Sequence, residues 1–244
     1  MYKTINEAIE LANGLKRDCF DLEDIDIVIC PPYIALSEVS EVIAESNIQL
    51  GAQDAYWQDE GAFTGEISPL MLKDAGCAFV IIGHSERRLY FGETNESVNR
   101  KAKAALKHGL TPIICVGETL SEREKNKTFQ VLDDHIKNGF KEISEEEIIR
   151  VVIAYEPVWA IGTGKTATSQ QAQEAQKYIR DLLKSVYNKE VAEVIRIQYG
   201  GSVKPENIAE LMQQPDVDGA LVGGGSLKLE TFTEILKKGA AIKK

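Results

Sequence analysis

The sequence predicts an α/β fold, a (β/α)8 barrel without its N-terminal strand, and three observations carry that reading. Short β-branched apolar runs alternate with longer amphipathic stretches along the chain, the pattern of a parallel sheet with helical crossovers. Most of the runs are apolar without alternation, as strands covered on both faces are. The residues that end the runs are polar or small, and in a parallel barrel such strand ends share one rim.

The first element is a helix. It starts at Thr4 with Glu7 three residues on, and Ile5, Ala8, Ile9, Ala12 and Leu15 form its apolar face. Strands follow at 25–30, 48–52, 78–82, 112–116, 151–155, 194–199 and 219–222, which makes seven. The later helices fall near 35–46, 68–75, 95–107, 121–138, 169–187, 205–213 and 229–237, for eight in all. Ser68-Pro69 and a Ser121-x-x-Glu124 capping box supply start signals. A closed barrel needs a strand before its first helix, and only three residues precede this one. No linker interrupts the alternation, so 1–244 reads as one domain.

Composition narrows the partners. With 43% hydrophobic and 27% charged residues in 244, the chain has the makeup of a globular protein able to bury a core. Lys+Arg 28 against Asp+Glu 38 gives −10, a field that opposes a polyanionic backbone, so no nucleic-acid partner is expected. A small anion is still admissible, because oriented backbone N–H groups hold phosphate locally. Cys19, Cys30, Cys77 and Cys115 form no C-x-x-C pair, which suits a reducing compartment. No apolar stretch reaches 18 residues, and Glu7 and Glu10 interrupt any signal-peptide pattern, so a cytoplasmic protein without a membrane partner is expected. No cluster of His, Cys and carboxylates suggests a metal, and no metal or cofactor is predicted.

The chemistry collects where the runs end: His84 after Phe-Val-Ile-Ile-Gly, Glu118 after Cys-Val-Gly, Glu156 after Val-Val-Ile-Ala-Tyr, Ser202 after Tyr-Gly-Gly, and Ser226 after three glycines. His108, beside Gly109, and His135, in a polar helical stretch, read as solvated side chains. His84 differs because the segment from Gly83 to Arg88 sets a titratable ring among opposite charges just past a buried strand. Glu156 ends a run inside the barrel wall, where desolvation makes a carboxylate a better base; a salt bridge to a nearby cation is the competing reading. Gly164-Lys165-Thr166 imitates the end of a phosphate-binding P-loop, but position 159 is Trp159 where that motif requires glycine. The G-x-G-x-x-A pattern from Gly162 to Ala167 lies too far past its strand for a dinucleotide turn. Gly223-Gly224-Gly225-Ser226 is better placed, linking the last strand to the last helix. With Gly201-Ser202 it matches the phosphate site that barrels build after their last two strands.

Two segments are the most specific: Ile82-Gly83-His84-Ser85-Glu86-Arg87-Arg88, and the run from Ala154 through Tyr155-Glu156-Pro157-Val158-Trp159-Ala160 to Gly164. Together with Tyr199-Gly200-Gly201-Ser202-Val203 and the segment Gly219 to Gly224, they resemble the triosephosphate isomerase family over essentially the whole chain. The resemblance implies a TIM barrel and an aldose–ketose isomerase of glycolysis and gluconeogenesis acting on a small phosphorylated triose. In it Glu156 would move a carbon-bound proton, and His84, as a neutral imidazole at a helix N-terminus, would polarise the carbonyl. Ser85, Glu86 and Cys115 would support that pair. Pro157, Val158, Trp159 and Ala160 would open a water-excluding lid that ends at Lys165. Gly162, Ser202, Gly223 and Gly224 would hold the phosphate, while Tyr199 and Ser202 would latch the closed lid. The segment 53–65, with Phe63 and Thr64 near its tip, would enter a second subunit, implying a homodimer in which Phe63 is not left in water.

The sequence departs from the family at its start. The family opens with a strand ending in Asn-x-Lys followed by Met, and that lysine faces the substrate. Met1 here falls where that Met would stand, and Lys3 lies on the helix side of the lysine position. Met1 is therefore expected to be internal to a longer chain, and the 244 residues as written are expected to be weakly active. Two other readings share many motifs: a sugar-phosphate epimerase, which has no use for Glu156 before Pro-Val-Trp, and a non-catalytic dimerising or phosphate-binding paralogue.

Overall fold

The computed structural model describes residues 1–161 and 166–242. Seven parallel strands form one curled sheet in sequence order: β1 (Ile27–Ile29), β2 (Ile48–Ala52), β3 (Phe79–Ile82), β4 (Thr111–Val116), β5 (Val152–Tyr155), β6 (Arg196–Tyr199) and β7 (Gly219–Ala220). The register is unbroken through the middle: Ile82 pairs with Ile114, Val116 with Tyr155, and Tyr155 with Tyr199. The carboxyl ends of β3, β4, β5 and β6 therefore lie side by side.

The helices among the described residues are α1 (Ile5–Asp18), α2 (Leu36–Ile43), α3 (Pro69–Asp74), α4 (Ser85–Phe91), α5 (Asn95–Lys107), α6 (Leu120–Glu124), α7 (Thr128–Gly139), α8 (Glu145–Ile148), α9 (Ser169–Val186), α10 (Lys189–Val194), α11 (Ile208–Met212) and α12 (Leu229–Ala240). Strand faces pack outward on these helices in the main core, and Phe79, Ile113, Cys115, Val152 and Ala154 pack together on the inner face. No described helix is long and apolar enough to cross a membrane.

The seven expected strands are the seven found, while the helices exceed the expected eight for local reasons. The stretch 121–138 is two helices, because Asn126 adopts φ 55° between them. Its capping box is Thr119 with Glu122, not Ser121 with Glu124; the Thr119 hydroxyl accepts from the Glu122 N–H. Residues 189–193 fall between the expected elements and Val194 at the expected start of a strand, yet 189–194 are helical, and the Asn188 side chain accepts the Val191 N–H at 2.8 Å. The helices α4 and α8 are further short additions. Ile5, expected on the buried face of α1, is exposed, whereas Ala8, Ala12 and Leu15 are buried.

Among the described residues β1 and β7 do not pair with each other, although α1 and α12 meet outside them. A Cβ on Gly14 of α1 would stand 2.5 Å from Leu229 Cδ2 of α12, so glycine lets the two helices close over the gap. Beneath them a cavity of about 1240 Å³ runs past Ala8, Leu11 and Leu15 of α1 to His84 and the glycines 223–225 on the rim.

Candidate active site

The site is built on the ends of β3, β4, β5 and β6. After Ile82 the chain turns at Gly83, φ 72°, where a Cβ would lie 2.8 Å from Val98 Cγ2, so no larger residue fits this exit. His84 then caps α4: its Nδ1 accepts from the Glu86 N–H at 3.3 Å. One strand beyond β4, Glu156 continues β5 by donating its N–H to Val116 O at 2.8 Å. Glycines make room for its main chain and its side-chain stem. A Cβ on Gly200 would stand 3.0 Å from Glu156 Cγ, and one on Gly117 would stand 1.8 Å from Glu156 O.

These exits bring His84 and Glu156 together, with Nε2 3.0 Å from Oε1. Glu156 is buried, 2% exposed, and also accepts from the Ser85 N–H at 2.9 Å and the Ser85 Oγ at 3.1 Å. The Cys115 thiol faces the same carboxylate; burial first, and then the charge and hydrogen bond of Glu156, push it well above the usual thiol range. Glu86 is largely exposed, with a carboxylate oxygen 3.7 Å from His84 Nδ1.

The electrostatics of His84 differ from the expectation that a helix N-terminus alone keeps it neutral. Burial lowers its pKa, but the hydrogen bond and charge of Glu156, followed by Glu86 and Glu93, outweigh burial and leave it raised. The Glu86 N–H on Nδ1 directs the ring proton to Nε2. The largest upward pull thus belongs to contact with Glu156 and weakens when that contact is broken.

Glu118, noted in the sequence only as a polar residue ending a strand, organises the next segment. It is fully buried and accepts from the Tyr155 hydroxyl at 3.1 Å, the Trp159 Nε1 at 2.8 Å and Arg123 at 3.1 Å. The Arg123 guanidinium lies 4.4 Å from the Trp159 ring centroid. Val158, Trp159 and Ala160 form a 3-10 turn after Pro157, pinned by Val158 N–H to Glu118 O at 3.1 Å. Gly162 lies outside the described residues.

Ser202, Gly223 and Gly224 line the cavity with His84. A Cβ added at Gly223 or Gly224 would meet nothing within 4 Å, so their backbone faces open space. Burial pushes the Tyr199 hydroxyl up to about 12, and a hydrogen bond from the Ala167 backbone pulls the other way. Lys3, with Met1 and Tyr2, also lines the cavity. No group of three or more His, Cys, Asp or Glu among the described residues is placed to hold a metal ion.

In the segment 53–65 Thr64 is exposed, but Phe63 turns back onto Tyr56, with ring centroids 4.7 Å apart, and is 39% exposed. Phe63 thus has an intramolecular partner that the sequence did not reveal. The root of the segment is held by an unforeseen charge cluster. Asp54 accepts from the buried Lys101 at 2.7 Å and pairs with Arg87 Nε at 2.8 Å, while Glu93 pairs with the same two cations. His108 pairs with Asp59 at 2.6 Å. His135, expected to be solvated, is instead half-buried, and its Nδ1 accepts the Gly117 N–H at 3.2 Å.

The profile of the triosephosphate isomerase family matches residues 1–239. The chain belongs to the triosephosphate isomerase family. It is 60% identical over 236 residues to the triosephosphate isomerase of Geobacter metallireducens, covering 97% of this chain and 94% of that protein. To that of Thermoanaerobacter pseudethanolicus it is 55% identical over 236 residues, covering 97% and 95%. To that of Trichlorobacter lovleyi it is 52% identical over 237 residues, covering 97% and 94%. Family membership accords with the resemblance read from the His84 and Glu156 segments and with the parallel sheet that carries them.

Proposed function

We propose that the chain interconverts D-glyceraldehyde 3-phosphate and dihydroxyacetone phosphate, a step of glycolysis and gluconeogenesis, in line with the name triosephosphate isomerase that its relatives carry. The observation that carries this reading is the 3.0 Å contact between His84 Nε2 and Glu156 Oε1 beside a glycine-lined cavity. Glu156 leaves Ser85, takes the proton from the carbon beside the carbonyl, and returns it to the neighbouring carbon. His84 donates its Nε2 proton to the carbonyl oxygen as charge develops and takes back the proton of the neighbouring hydroxyl. The enediolate charge thereby moves to that second oxygen, and protonation of the other carbon by Glu156 completes the isomerisation. No electron leaves the substrate, so no redox cofactor takes part.

Ser202, Gly223 and Gly224 hold the phosphate through backbone N–H groups. The segment of Pro157, Val158, Trp159 and Ala160 belongs to a lid that keeps the enediolate from water, with Tyr199 and Ser202 as latch. Ser85, Glu86 and Cys115 keep the two reacting side chains in place. Residues 1–244 act as one cytoplasmic domain that pairs as a homodimer through the segment bearing Phe63 and Thr64. The exposed Leu89, Tyr90 and Phe91 at the end of α4 offer apolar surface for that contact.

A coupled assay with glyceraldehyde 3-phosphate tests the reading. Turnover that disappears in Glu156→Gln supports it; no turnover above that variant refutes it. Sedimentation equilibrium of the same preparation reads the dimer.

A further inference from the structure

His135 is a buried-side histidine that the proposed chemistry does not use. It projects from α7 toward the end of β4, where its Nδ1 accepts the Gly117 N–H at 3.2 Å. Gly117 stands just past the strand, and that N–H has no other partner among the described residues.

Gly117 is the residue against which the main chain of Glu156 lies. The direction of its missing Cβ is filled by Glu156 O at 1.8 Å, Glu156 C at 2.6 Å and Glu156 N at 3.1 Å. On one side Val116 O accepts the Glu156 N–H at 2.8 Å, and on the other Glu118 O accepts the Val158 N–H at 3.1 Å. The Gly117 peptide therefore lies between the two bonds that fix where β5 ends. Its own orientation is fixed from the helix layer by one imidazole nitrogen.

We propose that His135 is a positioning residue: by accepting the Gly117 N–H it sets the peptide on which Glu156 rests, and so the place of the Glu156 carboxylate relative to His84. This rests on the isomerase reading for its effect on rate, but the positioning itself is read without substrate. A lone acceptor suffices, so a glutamine carbonyl at the same reach serves in its place, and an apolar side chain does not.

The test compares the wild-type protein with His135→Leu and His135→Gln. In the wild type the 15N resonance of Nδ1 is that of an unprotonated acceptor, and the Gly117 amide is protected from exchange. In His135→Leu the Gly117 amide exchanges faster and the Ser85 amide resonance, which reports its bond to Glu156, moves. In the same variant kcat falls roughly 10- to 100-fold while KM changes less than about two-fold, the pattern of a displaced reacting group and not of lost binding. His135→Gln restores both amides and most of kcat. Three results overturn the proposal: a proton on Nδ1 in the wild type, an unmoved Ser85 amide in His135→Leu, or no recovery in a folded His135→Gln. Absence of turnover in the wild type refutes the isomerase reading instead, and the amide measurements still decide the positioning claim.

Discussion

The Trp159 indole donates to Glu118 Oε1 at 2.8 Å, joining the segment after β5 to the end of β4. That bond fixes Trp159 to the wall of the barrel. Glu118 also holds the buried Tyr155 hydroxyl, whose pKa is pushed far up by burial first and then by the carboxylate.

Glu118→Leu removes one acceptor shared by three donors. An unsatisfied buried donor costs roughly 1–3 kcal/mol, and Arg123, partly exposed, is free to turn to water. Urea denaturation is expected to show at least one such loss, with kcat/KM reduced because the lid root is loosened. A midpoint equal to that of the wild type would show that the three bonds do not hold this end of the loop.

Glu156→Gln removes the base and one hydrogen-bond acceptor for Ser85. Loss of a positioned base costs roughly 10²–10⁴ in rate, so kcat falls by that order with KM little altered. The same variant separates the influences on His84. Without the carboxylate, the largest upward pull is lost while burial and the weaker pulls of Glu86 and Glu93 remain, so the imidazole titrates at lower pH than in the wild type. NMR titration of the His84 ring reads this directly.

The sheet and the reacting pair were legible because both rest on local pattern. Unbroken apolar runs mark strands buried on two faces, and a polar residue at the end of such a run, as at His84 and Glu156, is placed by the strand and not by the loop. What escaped was set by contacts distant in sequence. Lys101 lies mid-helix on α5 and looks like a solvated charge until Asp54, 47 residues away, comes within 2.7 Å. His135 looked exposed for the same reason, since Gly117 reaches it across a strand-to-helix packing contact. Phe63 looked unpartnered because nothing in its neighbours' periodicity places Tyr56 against it.

Lys101→Met tests the charge cluster. The substitution fits an apolar stem but leaves Asp54 and Glu93 buried with only Arg87, and breaking a buried ion pair by removing one partner costs roughly 3–5 kcal/mol. Burial already pushes Asp54 up to about 6 against the pull of Lys101, so losing the lysine drives it further toward the neutral acid. The thermal midpoint is expected to fall sharply, and a variant as stable as the wild type would remove the cluster as an anchor of the segment 53–65.

The unpaired edges of β1 and β7 predict uneven protection. Their amides on the gap side exchange early, whereas those of β3, β4 and β5, paired on both sides, exchange last. A strand ending in Asn-x-Lys, fused ahead of Met1, is expected to pair with these two edges and to bring a lysine to the rim that carries His84. Preorganised groups of that kind are worth roughly 10²–10³ in rate, and an unchanged kcat in the fusion would show that the gap does not receive it.

His135 also gives the folded state a pH dependence. Burial, followed by the charge of Arg88 on α4, lowers its pKa to about 4, against the weaker opposing pulls of Asp134 on its own helix and Glu122 on α6. The unfolded chain takes up this proton near pH 6.5, so between the two values the unfolded state binds more protons than the folded one. The contribution is fully present above about pH 6.5 and is lost as pH falls toward 4, by roughly 3 kcal/mol in all. His135→Gln has no proton to gain, so its unfolding free energy should decline less over that window than that of the wild type. Parallel declines would mean that the imidazole is already charged in the folded protein, and a charged ring has no lone pair left for Gly117.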